Sequence, residues 1–193
     1  PNYLDLGAYD AVQLSNTYHF YAQGSTGVCV EADPDLASII TSQRPKDRIL
    51  NLAVSGRAKG SLEFFLMSPP TLNTLSRAEA QRLEQEEACQ IRSTIMVDVV
   101  PVAELVATHF PERSLDFLSI DVEGGDADII AGFNFDFVRP KVICVETLSY
   151  SRAGVQTKSS AAREILGAKG YMLYADTYIN TIFVDAAAWH KRG

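Results

Sequence analysis

Cysteine is scarce in this sequence. The 193 residues include three, Cys29, Cys89 and Cys144, and none lies at the CxxC or Cys/His spacing of a metal site. We therefore expect a reduced, cytoplasmic protein without disulfides. Basic residues are also few, because 17 Lys and Arg stand against 24 Asp and Glu for a net charge of −7. This balance argues against a nucleic-acid partner, which would require clustered positive charge.

Several other features are missing. No apolar run approaches the roughly 18 residues of a membrane span, so we expect no membrane partner. Internal repeats, low-complexity tracts and long linkers are absent as well. The length and a hydrophobic fraction of 47% indicate one folded domain over residues 1–193. Because the chain opens at Pro1 rather than at Met, we expect a start that was processed or trimmed.

What the sequence does contain is an alternation of short apolar runs with amphipathic stretches of helical length. This alternation is typical of an α/β protein with a mostly parallel sheet and helices on both faces. We expect about seven strands in the core. The runs that predict strands are 3–7, 27–31, 49–54, 61–66, 95–100, 115–121 and 141–146, with a terminal hairpin over 171–174 and 181–184. The stretches that predict helices are 15–22, 34–43 with Asp33 before it, 77–89, 101–109, a helix containing 126–130, and 160–169.

Carboxylates follow most of these predicted strands. Ligands of open parallel sheets bind outside the carboxyl ends of the strands, so residues at those ends are the candidates for function. Four of the five main strands end in an acidic residue, and Ser55 follows the remaining one. The acidic residues are Asp5, Glu31, Asp121 with Glu123, and Glu146.

The first strand ends in Asp5-Leu6-Gly7-Ala8, a turn in which glycine lets a ligand approach the backbone. It has neither the GxGxxG spacing of dinucleotide-binding proteins nor the GxxxxGK[ST] spacing of nucleoside triphosphatases. Glu31 lies 26 residues after Asp5, where a carboxylate commonly binds the two hydroxyls of a ribose. A turn glycine, a capping aspartate and a solvated strand-end glutamate are the structural alternatives.

Four segments together resemble the FkbM-type methyltransferases, which depend on S-adenosylmethionine. The segments are Asp5-Leu6-Gly7-Ala8-Tyr9-Asp10, Ser15-Asn16-Thr17, Gly27-Val28-Cys29-Val30-Glu31-Ala32-Asp33-Pro34 and Asp116-Phe117-Leu118-Ser119-Ile120-Asp121-Val122-Glu123-Gly124. The resemblance covers nearly the whole chain in the same order. It implies a Rossmann-like class I methyltransferase fold, with a seven-stranded sheet, an antiparallel terminal hairpin and S-adenosylmethionine as cofactor. It also implies methyl transfer to a hydroxyl of a sugar, glycan or natural-product acceptor.

The resemblance also implies roles for individual residues. Asp5, Gly7 and Ala8 would contact the cofactor, the first two along its methionine part, and Glu31 would hold the ribose. Ala32 and Asp33 would flank the adenine, and Ser55 belongs to the segment on the adenine side. Asp121 would face the cofactor amine or the reacting centre. One departure is Tyr9-Asp10, which stands where a second small residue is common.

A hydroxyl acceptor needs a base, and Asp121 and Glu123 are the candidates because alternate residues at a strand end can both reach the crevice. We expect no bound metal, although Asp121, Glu123 and Glu146 together could hold Mg²⁺. Residues 69–76 could close over the acceptor as a lid or form a plain surface connection. An NAD-dependent oxidoreductase and a noncatalytic scaffold are the alternative functions, and the oligomeric state is left open.

Overall fold

The computed structural model describes residues 1–85, 89–149 and 157–191. In chain order the elements are β1 (Tyr3–Leu6), α1 (Tyr18–Ala22), β2 (Gly27–Val30), α2 (Pro34–Gln43), β3 (Arg48–Leu50), β4 (Ala53–Ser55), β5 (Gly60–Ser68), a 3₁₀ turn (Pro70–Leu72), α3 (Arg77–Gln85), β6 (Gln90–Pro101), α4 (Val102–His109), β7 (Phe117–Ile120), α5 (Asp126–Gly132), β8 (Val142–Glu146), β9 (Leu148–Ser149), β10 (Thr157–Lys158), α6 (Ala161–Ala168), β11 (Tyr171–Asp176), β12 (Asn180–Asp185) and α7 (Ala186–His190).

The main sheet has seven strands in the order β11-β12-β8-β7-β1-β2-β3. Five adjacent strands of this sheet run parallel, namely β8, β7, β1, β2 and β3. Strand β12 lies antiparallel to both of its neighbours, β8 and β11. The strand order reverses at β1, which pairs with β2 on one side and β7 on the other. This arrangement confirms the predicted mostly parallel sheet with an antiparallel terminal hairpin.

Both faces of the sheet are covered, which is why its central strands are apolar in nearly every position. Leu4 and Leu6 pack in a large cluster with buried residues of α4, α5 and α6. Tyr3 and Cys29 point to the opposite face, into a smaller cluster with α1 and α2. Because side chains alternate along a strand, Asp5 lies on the same face as Tyr3, towards α1.

One predicted strand is wrong in its extent. Residues 49–54 form two strands, β3 in the main sheet and β4 in a separate three-stranded sheet of order β4-β6-β5. The amide of Asn51, between the two strands, donates hydrogen bonds to the carbonyls of Glu31 (2.9 Å) and Ala32 (3.1 Å). These bonds tie the chain to the end of β2 at the point where it leaves the main sheet.

The middle of the chain is more extended than the sequence suggested. The predicted strand 61–66 lies within β5 and the predicted strand 95–100 forms the second half of β6, and the two strands pair antiparallel over most of their length. Helix α3 begins at Arg77 as expected, and the predicted continuation over 86–88 lies outside the described residues. Helix α1 begins later than predicted, at Tyr18, because the Ser15 hydroxyl accepts the backbone N–H groups of Thr17 and Tyr18 in a turn that precedes the helix.

Within the described residues, no helix is both long enough and apolar enough to span a membrane.

Candidate functional site

A cleft of about 870 Å³ opens at the carboxyl ends of the parallel strands, where the strand order reverses between β1 and β7. Its volume lies in the range of small-molecule and cofactor pockets. The structure brings most of the predicted site residues together in its wall. Those that line it are Asp5, Gly7, Ala8, Glu31, Ala32, Ser55, Asp121 and Glu123.

Gly7 fits a position that no other residue could occupy. Its φ is +80°, and a Cβ placed on it would lie 1.7 Å from the carbonyl oxygen of Asp121. The backbone N–H groups of Gly7 and Ala8 both donate to the carbonyl of Val30, each at 3.0 Å. Glycine is therefore required here because the turn after β1 packs directly on the end of β7.

Asp5 is held from behind by a buried polar network. Its carboxylate accepts a hydrogen bond of 2.6 Å from the Thr17 hydroxyl, which in turn accepts one of 3.0 Å from Arg44. Arg44 forms an ion pair of 2.6 Å with Asp47, and both side chains are fully buried. Burial raises the pKa of Asp5, and since Asp47 has the direct ion pair, Arg44 offsets only part of the Asp5 charge.

Glu31 is buried at the end of β2, and each of its carboxylate oxygens accepts one backbone N–H. The donors are Tyr9 at 2.9 Å and Asp33 at 2.8 Å. Burial raises the pKa of Glu31 to about 7, against the opposing effect of these hydrogen bonds. Because a carboxylate oxygen can accept two hydrogen bonds, one acceptor position is left on each oxygen. The residue can therefore accept two further donors, as a diol would provide.

Two other predicted residues have structural partners. Asp33 is not among the residues that line the cleft; its carboxylate caps α2 by accepting the Asp35 N–H at 2.9 Å and also accepts the Asn73 amide at 3.1 Å. The Ser55 hydroxyl lies in the cleft wall and donates to the Ala58 carbonyl at 2.8 Å. Direct contact of either residue with a cofactor stays a prediction.

Asp121, Glu123 and Glu146 lie close together in the wall of the cleft. One carboxylate oxygen of each lies within 4.8 Å of the others, a spacing that could hold a metal ion. Glu123 has a φ of +52°, and the turn that carries it is fixed by Asp126, which accepts the N–H groups of Val122 (3.2 Å) and Gly124 (3.3 Å). The predicted absence of a bound metal stays a prediction.

Crowding of these acids favours their protonated forms. Burial, followed by the charges of Asp121 and Asp126, raises the pKa of Glu123 to about 8. Asp121 and Glu146 share a hydrogen bond, and burial raises the pKa of both, that of Glu146 further. The pair therefore favours a state in which the two carboxyl groups hold a proton between them.

Sequence reasoning did not reveal how the loop over 69–76, here called the strap, is held against the cleft. All eight of its residues line the cleft. It is attached on both sides, because Asn73 donates to Asp33 and the Thr74 hydroxyl donates to the Glu123 carbonyl at 2.9 Å. Its hydroxyl and amide content was the only signal in the sequence, and it did not indicate these two attachments.

The charge of the cleft is one-sided. Among the described residues, six carboxylates and no Lys, Arg or His line it. Helix α1 begins at Tyr18, well after the end of β1 at Leu6, so no helix N-terminus follows the turn directly. A pyrophosphate-binding site of the dinucleotide type needs such a helix N-terminus, which this site lacks. The cleft suits a ligand that carries positive charge.

The sheet order, the antiparallel terminal hairpin and the cleft at the strand reversal define a Rossmann-like methyltransferase fold. The model of one protein family, described as the methyltransferase FkbM domain, matches residues 5–173. The chain therefore belongs to the FkbM methyltransferase-domain family. No curated protein and no solved structure gives a significant match.

Proposed function

We propose that this protein is an S-adenosylmethionine-dependent methyltransferase that methylates a hydroxyl of a sugar, glycan or natural-product acceptor. The observation that carries the proposal is the charge of the cleft, which offers six carboxylates and no cationic side chain among the described residues. A sulfonium with an ammonium group complements such a site, whereas a dinucleotide pyrophosphate does not. Membership of the FkbM family supports the same reaction class.

The residues present fit this cofactor. Glu31 has two acceptor positions free, which match the two hydroxyls of a ribose. Ala32, Leu36 and Leu52 line the same cleft and supply apolar surface for an adenine ring. Asp5 has a buried carboxylate whose charge is only partly offset, and it would accept hydrogen bonds from the ammonium group.

When bound, the cofactor supplies a methyl group activated by a positively charged sulfur. The protein has two tasks, which are to align the acceptor oxygen and to remove its proton. Transfer of the methyl group to the acceptor oxygen would leave S-adenosylhomocysteine, and the hydroxyl proton of the acceptor would pass to a carboxylate of the cleft. Glu123 is suited to take it, because its pKa of about 8 lies close to neutral pH. Asp121 is the alternative base.

We further propose a cytoplasmic setting, which the three cysteines support because all are free and buried.

The proposal is tested by isothermal titration of the purified chain with S-adenosylhomocysteine and, separately, with NAD. We expect micromolar binding of the former and none of the latter. The Glu31→Ala variant should lose at least tenfold in affinity, because two hydrogen bonds to a charged group are removed. Glu112→Gln is the matched control, because Glu112 is exposed and lies before the amino end of β7, whereas the cleft lies at the carboxyl ends of the strands.

Two results would contradict the proposal. Preferential binding of NAD would indicate an oxidoreductase, and binding of neither compound would indicate a noncatalytic scaffold.

A further inference from the structure

A second, smaller cavity of about 260 Å³ adjoins the cleft. The two cavities share five lining residues, among them Glu123 and Glu146. These two carboxyl groups therefore stand at the junction, accessible from both sides. A cofactor in the larger cleft and a second molecule in the smaller cavity would meet there.

The second cavity is as one-sided in charge as the first. Its acidic lining residues are Glu79, Glu123, Asp126 and Glu146, and no Lys, Arg or His lines it in the described part of the chain. Glu79 is partly neutralised by Arg82, which donates to it at 2.9 Å. The remaining wall combines small polar groups, such as Thr147 and Ser159, with aliphatic side chains. An acidic molecule would meet negative charge on several sides and no cationic side chain among the described lining residues.

Asn180 adds a second observation at the junction. It is the first residue of β12 and lies directly opposite Glu146 in the register with β8. Directly opposed residues of antiparallel strands have neighbouring side chains. Asn180 lines the larger cleft, and its side-chain oxygen is buried from solvent and finds no hydrogen-bond donor in the described residues. A buried acceptor without a donor is costly, so a ligand group that donates a hydrogen bond would be stabilised here.

We propose that the second cavity is the acceptor site and that the acceptor is a small polyol without acidic groups. This inference rests on the proposed function. Hydroxyls donate to carboxylates and also accept from protonated carboxyl groups, so a polyol fits Glu123 and Glu146 in either protonation state. One hydroxyl would lie between these two residues and a neighbouring one would donate to Asn180. The volume of about 260 Å³ holds a single small ring rather than a long oligosaccharide.

The experiment measures methyl transfer from S-adenosylmethionine to matched acceptors that differ in one group. Methyl glucoside, the corresponding methyl glucuronide and methyl glucoside 6-phosphate form one set, and the galactose and mannose series form two more. We expect transfer to neutral members, with kcat/KM at least about tenfold lower for each acidic counterpart. Binding of S-adenosylhomocysteine is measured on the same protein, so that loss of the cofactor site is recognised separately.

Two variants test which residues cause the preference for neutral over acidic acceptors. Of the two cavities, Glu79 lines only the second, so Glu79→Gln should lower the preference for neutral acceptors several-fold while affinity for S-adenosylhomocysteine is retained. Asn180→Ala should raise KM for the neutral acceptor at least about fivefold with the same retention. Glu112→Gln, distant from both cavities, should change neither quantity.

Equal or faster transfer to the acidic members would overturn the proposal. So would transfer to no member of the three sets while S-adenosylhomocysteine still binds. Failure of S-adenosylhomocysteine to bind would overturn the proposed function and this inference with it.

Discussion

The buried ion pair of Arg44 and Asp47 offers the sharpest test of the packing beneath the cleft. Arg44 donates to Asp47 (2.8 Å), Thr17 (3.0 Å), Tyr3 (3.1 Å) and Ser15 (3.2 Å), and its side chain is fully buried. Replacing it by Met removes these bonds in one step. Asp47 would then retain the Tyr3 hydroxyl and the Gly27 N–H as donors but no counter-charge.

Removal of one partner from a buried ion pair costs about 3–5 kcal/mol, because the other charge stays buried without compensation. A typical domain is stable by about 5–15 kcal/mol, so Arg44→Met should remove a large share of the total. With a urea dependence of about 2 kcal/mol per molar, the unfolding midpoint should fall by about 1.5–2.5 M. Equilibrium urea unfolding followed by circular dichroism measures this shift.

The double variant Arg44→Met/Asp47→Asn separates charge from packing. It removes the uncompensated carboxylate, so it should be more stable than Arg44→Met alone. A loss below about 1 kcal/mol for Arg44→Met would be the value of an exposed pair and would refute the buried network. Equal stability of the single and double variants would show that the charge of Asp47 is not the cause.

Three further predictions concern the cleft. Gly7→Ala should cost more than about 3 kcal/mol in thermal unfolding, because its Cβ would overlap the Asp121 carbonyl, whereas Gly24→Ala, with a φ of +92° and open space around it, should cost about 1 kcal/mol. Affinity for S-adenosylhomocysteine should rise with pH through about 7, since ribose hydroxyls donate to the ionised form of Glu31, and titrations of Glu31→Gln should show no such rise. If Glu123 is the base, kcat/KM should rise with pH through about 8, and Glu123→Gln should lower kcat about 10²–10⁴-fold in a methyl-transfer assay with little change in S-adenosylhomocysteine binding.

The sequence predicted the parts of the fold that local pattern determines. Helix α2 begins at Pro34 and ends at Gln43 as expected, because Asp33 caps it and proline is tolerated at its first position. The convergence of acids followed from a general rule of parallel sheets, since strand ends meet at one edge. The separate sheet of β4, β5 and β6 did not follow, because pairing between distant strands depends on tertiary packing.

The polar network beneath Asp5 was also missed, for a different reason. Arg44 stands just after α2, before Pro45 and Lys46, where a basic residue is expected to be solvated. Its burial depends on Asp47, Thr17 and Tyr3 meeting behind the sheet, which no spacing in the sequence reveals. Asn180 gave no signal either, because its significance lies in being opposite Glu146 across the β8–β12 pairing.

The acids at the strand ends connect stability with function in this protein. Glu31, Asp121, Glu123 and Glu146 all have pKa values raised chiefly by burial, so folding favours their protonated forms. A carboxyl group whose pKa is higher in the folded than in the unfolded state stabilises the fold at low pH, and that contribution declines as pH rises towards the folded-state pKa. The acids of the cleft therefore lower the free energy of unfolding of the ligand-free protein near neutral pH. A ligand with positive charge favours the ionised acids and offsets this loss, so the features that destabilise the ligand-free protein are those that provide its affinity for such a ligand.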